Sequence, residues 1–215
     1  MKKYLSAGFE ARRFKRAVQT MYYMSSHCKS NVTMLCGPAT IPHLNDGLLV
    51  TTNQAFATIF IYELDRDIYL KNKADIKTFK CASKIKLFND DILNSKLSRV
   101  FDFDGCLTLT QSIESFMFLF NRLYKAKTKR VKHAMFTFTS RDRNGSTTED
   151  NIQLLCDRIG IPNNFKRDIS VPKLRKYDQQ FENTLVSYTT YCDKQPMVSF
   201  SIQWNLTKKM ILCQN

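Results

Sequence analysis

Short apolar runs that end in turn-forming or acidic residues constrain the fold of this chain more than any other feature of its sequence. Each run has the length and the β-branched or aromatic content of a buried strand. The runs occupy residues 32–36, 57–62, 84–88, 99–103 and 133–139. Helical spacing of apolar residues is found at residues 9–27, 112–124 and 149–159. Strands separated by helices or crossovers favour a parallel sheet with helices on both faces.

The last part of the chain predicts an antiparallel hairpin. Residues 183–191 and 197–204 have the composition of strands, and a short loop that includes Pro196 separates them. We therefore expect a doubly wound α/β fold with a mostly parallel seven-stranded sheet, in which the C-terminal hairpin supplies one reversed strand. No repeat or linker divides the chain, so we expect a single domain. Residues 1–30 would form a basic helical segment packed on the core, and residues 31–215 the α/β domain.

The charge of the chain favours a polyanionic partner. The formal net charge is +14, and the cationic residues cluster at 12–16, 125–132 and 166–176. Clusters of this kind attract phosphate backbones, so nucleic acid is the simplest partner. The alternative is a solvated basic surface without a specific ligand.

Several classes of protein are disfavoured by the sequence. No apolar run approaches the roughly 20 residues that span a bilayer, and the basic N-terminus lacks the apolar stretch of a secretory signal. The seven cysteines form no CxxC pair and the three histidines are scattered, so we expect reduced thiols and no metal site. We expect a soluble cytoplasmic protein that does not bind membranes; the oligomeric state is left open.

Carboxylates gather where the predicted strands end. Glu63 follows the second strand, Asp90 and Asp91 follow the third, and Asp102 and Asp104 stand at the end of the fourth. In open α/β sheets the ligand lies outside the carboxyl ends of the strands. A carboxylate after the second strand suits the two ribose hydroxyls of a nucleoside, and an acid or amide after the third suits an adenine amino group.

The same segments resemble the class I S-adenosylmethionine-dependent methyltransferases. The segments IYELDRD, KLFNDDI, VFDFDG and AMFTFTSR are similar to segments of small methyltransferase-like proteins of phages and other viruses. The resemblance runs from about residue 30 to about residue 206. It implies a Rossmann-like methyltransferase fold with S-adenosylmethionine as the cofactor. If the chain is viral, its compartment would be the host cytoplasm. The loop after the first strand reads CGPATIPH and holds one glycine where the family has GxGxG.

The resemblance also implies a role for individual residues. Ribose would be bound by Glu63 and adenine by Asp90 or Asp91. Asp102 or Asp104 would act at the reacting centre, and Asp102 would also contact the cofactor. Gly37 and Pro38 would belong to the cofactor loop. The reaction would be methyl transfer to a nitrogen or oxygen of a nucleic acid or nucleotide. The basic segments that flank the substrate cleft in this family would contact phosphates through Arg12, Arg13, Lys15, Arg16, Lys173 and Arg175.

Two other functions compete with methyl transfer. The segment VFDFDGCLTLTQS resembles the nucleophile loop of haloacid-dehalogenase-type phosphatases, with Asp102 as nucleophile and Asp104 as general acid/base. That nucleophile normally follows the first strand of its fold, whereas three strand-like runs precede Asp102 here. The other competitor is a catalytically degenerate nucleic-acid-binding protein on the methyltransferase fold. For Asp90 and Asp91 the alternative to adenine binding is a helix N-cap.

Overall fold

A computed structural model describes residues 30–35, 56–78, 82–98, 100–126, 132–139, 146–169, 175–193 and 195–204. Several predicted features lie outside these residues. They are the helix over 9–27, the cofactor-loop residues Gly37 and Pro38, the basic run at 127–131, and the cations Arg12, Arg13, Lys15, Arg16 and Lys173. Of the residues predicted to contact phosphates, Arg175 alone is described.

The described part of the chain contains nine strands, three α-helices and two single-turn 3-10 helices. The strands are β1 Ser30–Leu35, β2 Phe56–Tyr62, β3 Ile85–Phe88, β4 Val100–Thr108, β5 His133–Thr139, β6 Lys166–Arg167, β7 Arg175–Phe181, β8 Thr184–Asp193 and β9 Gln195–Trp204. The α-helices are α1 Arg66–Ile76, α2 Leu109–Ala126 and α3 Thr148–Ile159. The 3-10 helices are Ala82–Lys84 and Ile92–Asn94.

Most of the predicted elements within the described residues are confirmed, with shifted ends. The strand predicted over 99–103 continues to Thr108 as β4, and the helix predicted over 112–124 begins earlier, at Leu109. The hairpin is confirmed, but its strands β8 and β9 are longer than predicted and leave one residue, Lys194, between them. Helix α1 and strands β6 and β7 were not predicted.

All nine strands form one sheet in the order β3-β2-β1-β4-β5-β9-β8-β7-β6. The first five strands are parallel, and β9, β8, β7 and β6 pair antiparallel. The prediction of a mostly parallel, seven-stranded sheet is therefore wrong: the sheet is mixed, and the pair β6–β7 extends it beyond the C-terminal hairpin. β7 reads RKYDQQF, and such a polar edge strand lacks the apolar run by which strands are recognised.

An aromatic core fills one face of the sheet. Phe101, Phe136 and Phe200 lie on neighbouring strands and are fully buried in one cluster. Helix α2 covers this cluster with apolar residues at helical spacing: Phe116, Leu119, Phe120 and Leu123. Helix α3 adds Ile152, Leu155 and Cys156. Burial of these large side chains is the main favourable contribution to the stability of the domain.

Helix α1 lies on the opposite face. The crossovers β2–α1–β3 and β4–α2–β5 run in opposite directions along the sheet, and right-handed crossovers then place their helices on opposite faces. In agreement, Ile76 of α1 is buried outside the aromatic cluster, as are Ile59 and Ile61 of β2. The described elements are therefore doubly wound, as predicted. Among the described residues, no helix combines the length and apolar character needed to cross a membrane.

Candidate functional site at the carboxyl edge of the sheet

The carboxyl ends of β2 and β3 are joined directly. Tyr62 and Phe88 end these strands in register, and their rings stack with centroids 5.0 Å apart. The next residue of each strand continues the junction, since the Glu63 amide donates to the Phe88 carbonyl at 3.0 Å. Asn89 closes it, because its Nδ2 donates to the carbonyls of Glu63 at 2.9 Å and Leu64 at 3.1 Å. The structure therefore brings together the segments predicted to bind ribose and adenine.

Glu63 is a buried carboxylate at this junction, with a relative exposure of 6%. Its Oε1 accepts a hydrogen bond from the Asp65 amide at 3.0 Å. Asp65 in turn caps α1, since its Oδ1 accepts from the amides of Asp67 at 2.9 Å and Ile68 at 3.0 Å. The positive end of the α1 dipole thus lies beside both acids. A carboxylate held in this way is oriented to accept further O–H or N–H donors.

The two aspartates after β3 are held by their own turn. Asp91 caps the 3-10 helix Ile92–Asn94, because its Oδ1 accepts from the Leu93 amide at 2.9 Å. The N-cap alternative is therefore observed for Asp91. Asp90 is exposed, and its Oδ1 accepts from the Asp91 amide at 2.7 Å and from Asn94 Nδ2 at 3.1 Å. A carboxylate has about four acceptor positions, so these bonds leave Asp90 able to accept from a ligand.

Arg122 of α2 is hydrogen-bonded to the loop after β3. No role is predicted for this residue from the sequence. Its guanidinium donates to the Leu93 carbonyl and, at 2.7 Å, to the Ser95 carbonyl. Tyr62 adds a second anchor, since its hydroxyl accepts from the Lys96 amide at 3.1 Å. One signal in the sequence could have indicated Arg122: it is a cation that directly precedes the core residue Leu123 in an amphipathic helix. The loop that carries Asp90 is therefore held by β2 and α2 as well as by its own turn.

Asp102 lies inside β4 and not at the end of the strand. It pairs with Met34 of β1 on one side and with Met135 of β5 on the other. Its relative exposure is 1%. From the register it lies two residues short of Glu63 along the strands, roughly 7 Å, and two strands away, roughly 10 Å. Asp102 and Glu63 therefore belong to the same side of the sheet without being adjacent.

Asp104 is described only by its place in the sheet. It pairs with Thr137 of β5, and the register of this pairing shifts between Asp104 and Leu107. The expectation that both aspartates terminate their strand is wrong, because β4 continues past the shift to Thr108. A shifted register re-aims the residues beside it and is frequent next to functional sites.

The face of the sheet that carries Asp102 is polar on β5, β9 and β8. Thr137 and Ser199 form a hydroxyl pair at 3.1 Å, and Ser187 and Ser201 form another at 2.6 Å. These side chains are buried or nearly so. Paired hydroxyls satisfy one another, so this face can stay buried without a large desolvation cost.

The phosphatase alternative fits this placement poorly. The nucleophile of that family follows the first strand of its fold, whereas Asp102 lies inside β4, which three described strands precede. No group of three or more His, Cys, Asp or Glu residues able to hold a metal ion occurs within the described ranges.

Comparison with known proteins defines the fold. No family model and no curated protein matches the sequence. The solved structures with similar folds include the following three. A human methyltransferase 10 domain containing protein has a TM-score of 0.53 and 11% identity, over 89% of this chain and 82% of its own. The N-methyltransferase NodS from Bradyrhizobium japonicum WM9, in complex with S-adenosyl-L-homocysteine, has a TM-score of 0.51 and 11% identity, over 89% and 87%.

The third is the crystal structure of a candidate tRNA (m1A22) methyltransferase from Streptococcus pneumoniae. Its TM-score is 0.51 with 10% identity, over 89% of this chain and 71% of its own. At such identities the likeness concerns the fold alone. The chain has a Rossmann-like fold similar to that of these three structures. The three similar structures come from bacteria and human, so the resemblance to phage and viral members stays a prediction.

Proposed function

We propose that this protein binds S-adenosylmethionine across the carboxyl ends of β2 and β3 and transfers its methyl group to a nucleic-acid acceptor. The observation that carries the proposal is the junction at Glu63, where a buried, oriented carboxylate lies beside the fixed loop of Asp90. The fold supports it, since one similar structure is a methyltransferase in complex with S-adenosyl-L-homocysteine.

Each part of the nucleoside has a counterpart at this edge. Glu63 would accept the two ribose hydroxyls, which form charge-assisted hydrogen bonds with a carboxylate. Asp90 would accept from the adenine amino group, and Asp91 would support it through the turn that it caps. Gly37 and Pro38, which follow β1, are proposed for the loop at the charged end of the cofactor, where a glycine permits close approach of the backbone.

The chemistry asks little of the protein beyond position and proton transfer. S-adenosylmethionine, when bound, would supply an electrophilic methyl group on its sulfonium for transfer to an acceptor nitrogen or oxygen. The protein contributes by holding the acceptor in line, and such positioning supplies a large share of the acceleration. Asp102 or Asp104 would orient the acceptor and take up the proton that it loses.

The acceptor is proposed to be a nucleic acid, and RNA is the simplest choice. The net charge of +14 supports a polyanion, and one similar structure is that of a candidate tRNA methyltransferase. Arg175 is exposed at the start of β7, as a phosphate contact requires. The remaining proposed phosphate contacts come from the cationic residues Arg12, Arg13, Lys15, Arg16 and Lys173.

Isothermal titration with S-adenosylhomocysteine tests the cofactor site. We expect the wild type to bind and Glu63→Gln to weaken binding by about 1–3 kcal/mol, because the amide loses the charge-assisted hydrogen bonds. Glu149→Gln is the matched control, since Glu149 is exposed on α3 and should not affect affinity. Equal affinities of Glu63→Gln and the wild type would remove Glu63 from the ribose site. Absence of binding by the folded wild type would overturn the proposed cofactor.

A further inference from the structure

The edge of the sheet formed by β6 and β7 carries two arginines around an aromatic ring. Arg167 of β6 pairs directly with Tyr177 of β7. Arg175 lies two residues before Tyr177 on the same strand, and residues two apart share a face. All three side chains therefore belong to one face of the edge, which we call the Arg-Tyr-Arg patch.

The ring of Tyr177 in this patch is held in place by a neighbouring aromatic ring. It stacks on Tyr188 of β8, with centroids 4.6 Å apart and planes at 14°. Phe165 meets Tyr188 edge-on at 4.9 Å, and both pack against the aromatic core. Tyr177 itself remains partly exposed. A ring that is held by stacking on a neighbour and is still partly exposed is preorganised for contact with a ligand.

The two arginines of the patch are not neutralised by acids in the described part of the chain. Both are exposed and form no ion pair there. The acids of this edge, Asp168 and Asp178, instead bind Lys176 at 3.4 and 3.0 Å. Lys176 and Asp178 alternate with Tyr177 along β7, so that cluster lies on the opposite face.

Glu149 of α3 is a charged neighbour of Tyr188. Burial, with smaller contributions from Tyr177, Glu149 and Cys156, raises the pKa of Tyr188 to about 12. The phenol behind Tyr177 is therefore neutral at physiological pH and does not oppose a bound anion.

Arg175 lies level with the carboxyl end of β5, whereas Arg167 and Tyr177 lie two residues further from that end. The patch is on the aromatic-core face of the sheet, opposite to the face that carries Asp102. Arg175 pairs with Thr190, Thr190 pairs with Val198, and Val198 pairs with Phe138 near the carboxyl end of β5. β7 is four strands from β4, which is roughly 19 Å at about 4.8 Å per strand. A ligand that reaches from Asp102 to the patch must therefore be several nucleotides long.

We infer that the Arg-Tyr-Arg patch binds a single-stranded segment of nucleic acid, with a base stacked on Tyr177 and phosphates bound by Arg167 and Arg175. Single-strand-binding surfaces combine aromatic platforms with cations that follow the backbone. The guanidinium suits the task because its fork of donors matches a phosphate. That this segment belongs to the methyl acceptor rests on the proposed function; the binding of the strand does not.

The charge of the patch is tested by anisotropy of labelled single-stranded RNA, single-stranded DNA and duplex across a salt series. The variant Arg167→Gln/Arg175→Gln is compared with Lys77→Gln/Lys86→Gln. The control removes the same charge from exposed residues of α1 and β3, at the other edge of the sheet. We expect the patch variant to lower the slope of log K against log salt by about 1.4, or about 0.7 per lost contact with a single strand. Equal losses from both variants, or tighter binding of duplex than of single strands, would overturn the inference.

The stacking is tested by Tyr177→Leu with Tyr177→Phe as its control. Phenylalanine keeps the ring, so its affinity should match the wild type, whereas leucine should weaken single-strand binding about tenfold, or about 1.4 kcal/mol. Near-UV circular dichroism checks that each variant is folded, and the arginine variant tests the patch without touching the Tyr177–Tyr188 stack. An unchanged affinity in folded Tyr177→Leu would contradict the inference.

Titration of the same variants with S-adenosylhomocysteine separates the two proposals. We expect every patch variant to retain its affinity for this ligand, because the patch is remote from Glu63. A wild type that binds single strands through the patch but not S-adenosylhomocysteine would overturn the proposed cofactor and leave the patch standing. A wild type that binds the cofactor product but no polymer at low salt would overturn the patch alone.

Discussion

The positions of the predicted site residues Glu63, Asp91 and Asp102 follow only in part from their spacing in the sequence. Glu63 was predicted at a strand end and lies there, next to the cap of α1. Asp91 occupies the predicted position but its carboxylate caps a turn. Asp102 was predicted at a strand end and lies inside β4 instead. The hydrogen bonds at all three positions depend on where each strand stops, and the binding and catalytic roles of these residues stay predictions.

Cys156 leads to a prediction about pH. Burial, with a smaller contribution from Asp157, raises the pKa of its thiol from 9.0 to about 11. A raised pKa means that the neutral form is favoured in the folded state. The contribution to stability is therefore complete below pH 9 and is lost as the pH rises toward 11. Denaturant unfolding at pH 8 and pH 10 should show a smaller loss of stability in Cys156→Ala than in the wild type. An equal loss in both proteins would contradict this assignment.

Asp102 leads to a second prediction at the scale of the residue. Asp102 lies two strands away from Glu63 in the register of the sheet, so we propose that it acts on the acceptor more than on the ribose. We expect Asp102→Asn to lower the rate of methyl transfer while leaving S-adenosylhomocysteine affinity within a factor of about two, since the amide keeps the shape and loses the proton acceptor. Magnesium-dependent hydrolysis of p-nitrophenyl phosphate that is abolished by the same substitution would favour the phosphatase alternative.

The elements of the fold differed in how well the sequence predicted them. Helices α2 and α3 carry a clear apolar stripe, and both were predicted. Helix α1 buries only Asn72 and Ile76, so its periodicity is too weak to detect, and its start is set by the Asp65 cap. Strands β6 and β7 are polar edge strands whose pairing depends on the long-range register with β8. Local sequence patterns reveal elements that bury an apolar face. Helix α1 and strands β6 and β7 bury few side chains, so their patterns are weak.

The connection between α2 and the loop after β3 gives a prediction at the scale of the element. Arg122 donates to the carbonyls of Leu93 and Ser95, which would otherwise lose their donors in a partly buried position. We expect Arg122→Gln to lower the free energy of unfolding by about 1–3 kcal/mol. Lys125→Gln removes an exposed cation from the same helix and should change it by less than about 0.5 kcal/mol. Similar midpoints of urea unfolding for both variants would show that the contact is not stabilising.

The end of α3 gives another prediction of this kind. Gly160 terminates the helix with φ of 73°, in the left-handed region that favours glycine. No atom lies within 4 Å of the position that a Cβ would take, so the cost of a side chain is conformational and not steric. We expect Gly160→Ala to destabilise the protein by about 1 kcal/mol and Gly160→Asn by less, because asparagine tolerates this region. Thermal unfolding of the two variants measures the difference, and equal losses would argue against the backbone explanation.

At the scale of the molecule, the sheet has a parallel half and an antiparallel half, and the sequence predicts the strands of the first half better than those of the second. The parallel half, β3 to β5, was predicted from its apolar runs, and its carboxyl edge carries the proposed cofactor site. The antiparallel half begins with the predicted hairpin and continues into β7 and β6, which carry the Arg-Tyr-Arg patch. A sequence pattern is local, whereas the total number of strands depends on the pairing of β7 with the hairpin strand β8 and of β6 with β7. For that reason the class of fold was predictable and the width of the sheet was not.

The arrangement of the sheet predicts a gradient of stability across the molecule. The central strands β5 and β9 each have two hydrogen-bonded neighbours, and their side chains Phe136, Val198 and Phe200 are fully buried. At the edge, β6 has two residues, both exposed, and one neighbour. Amides in well-packed central elements open only when the whole domain unfolds, whereas those at an edge open locally. In native-state hydrogen exchange we therefore expect β5 and β9 to exchange most slowly and β6 most rapidly. Exchange of β6 as slow as that of β5 would show that the edge is held more firmly than its contacts indicate.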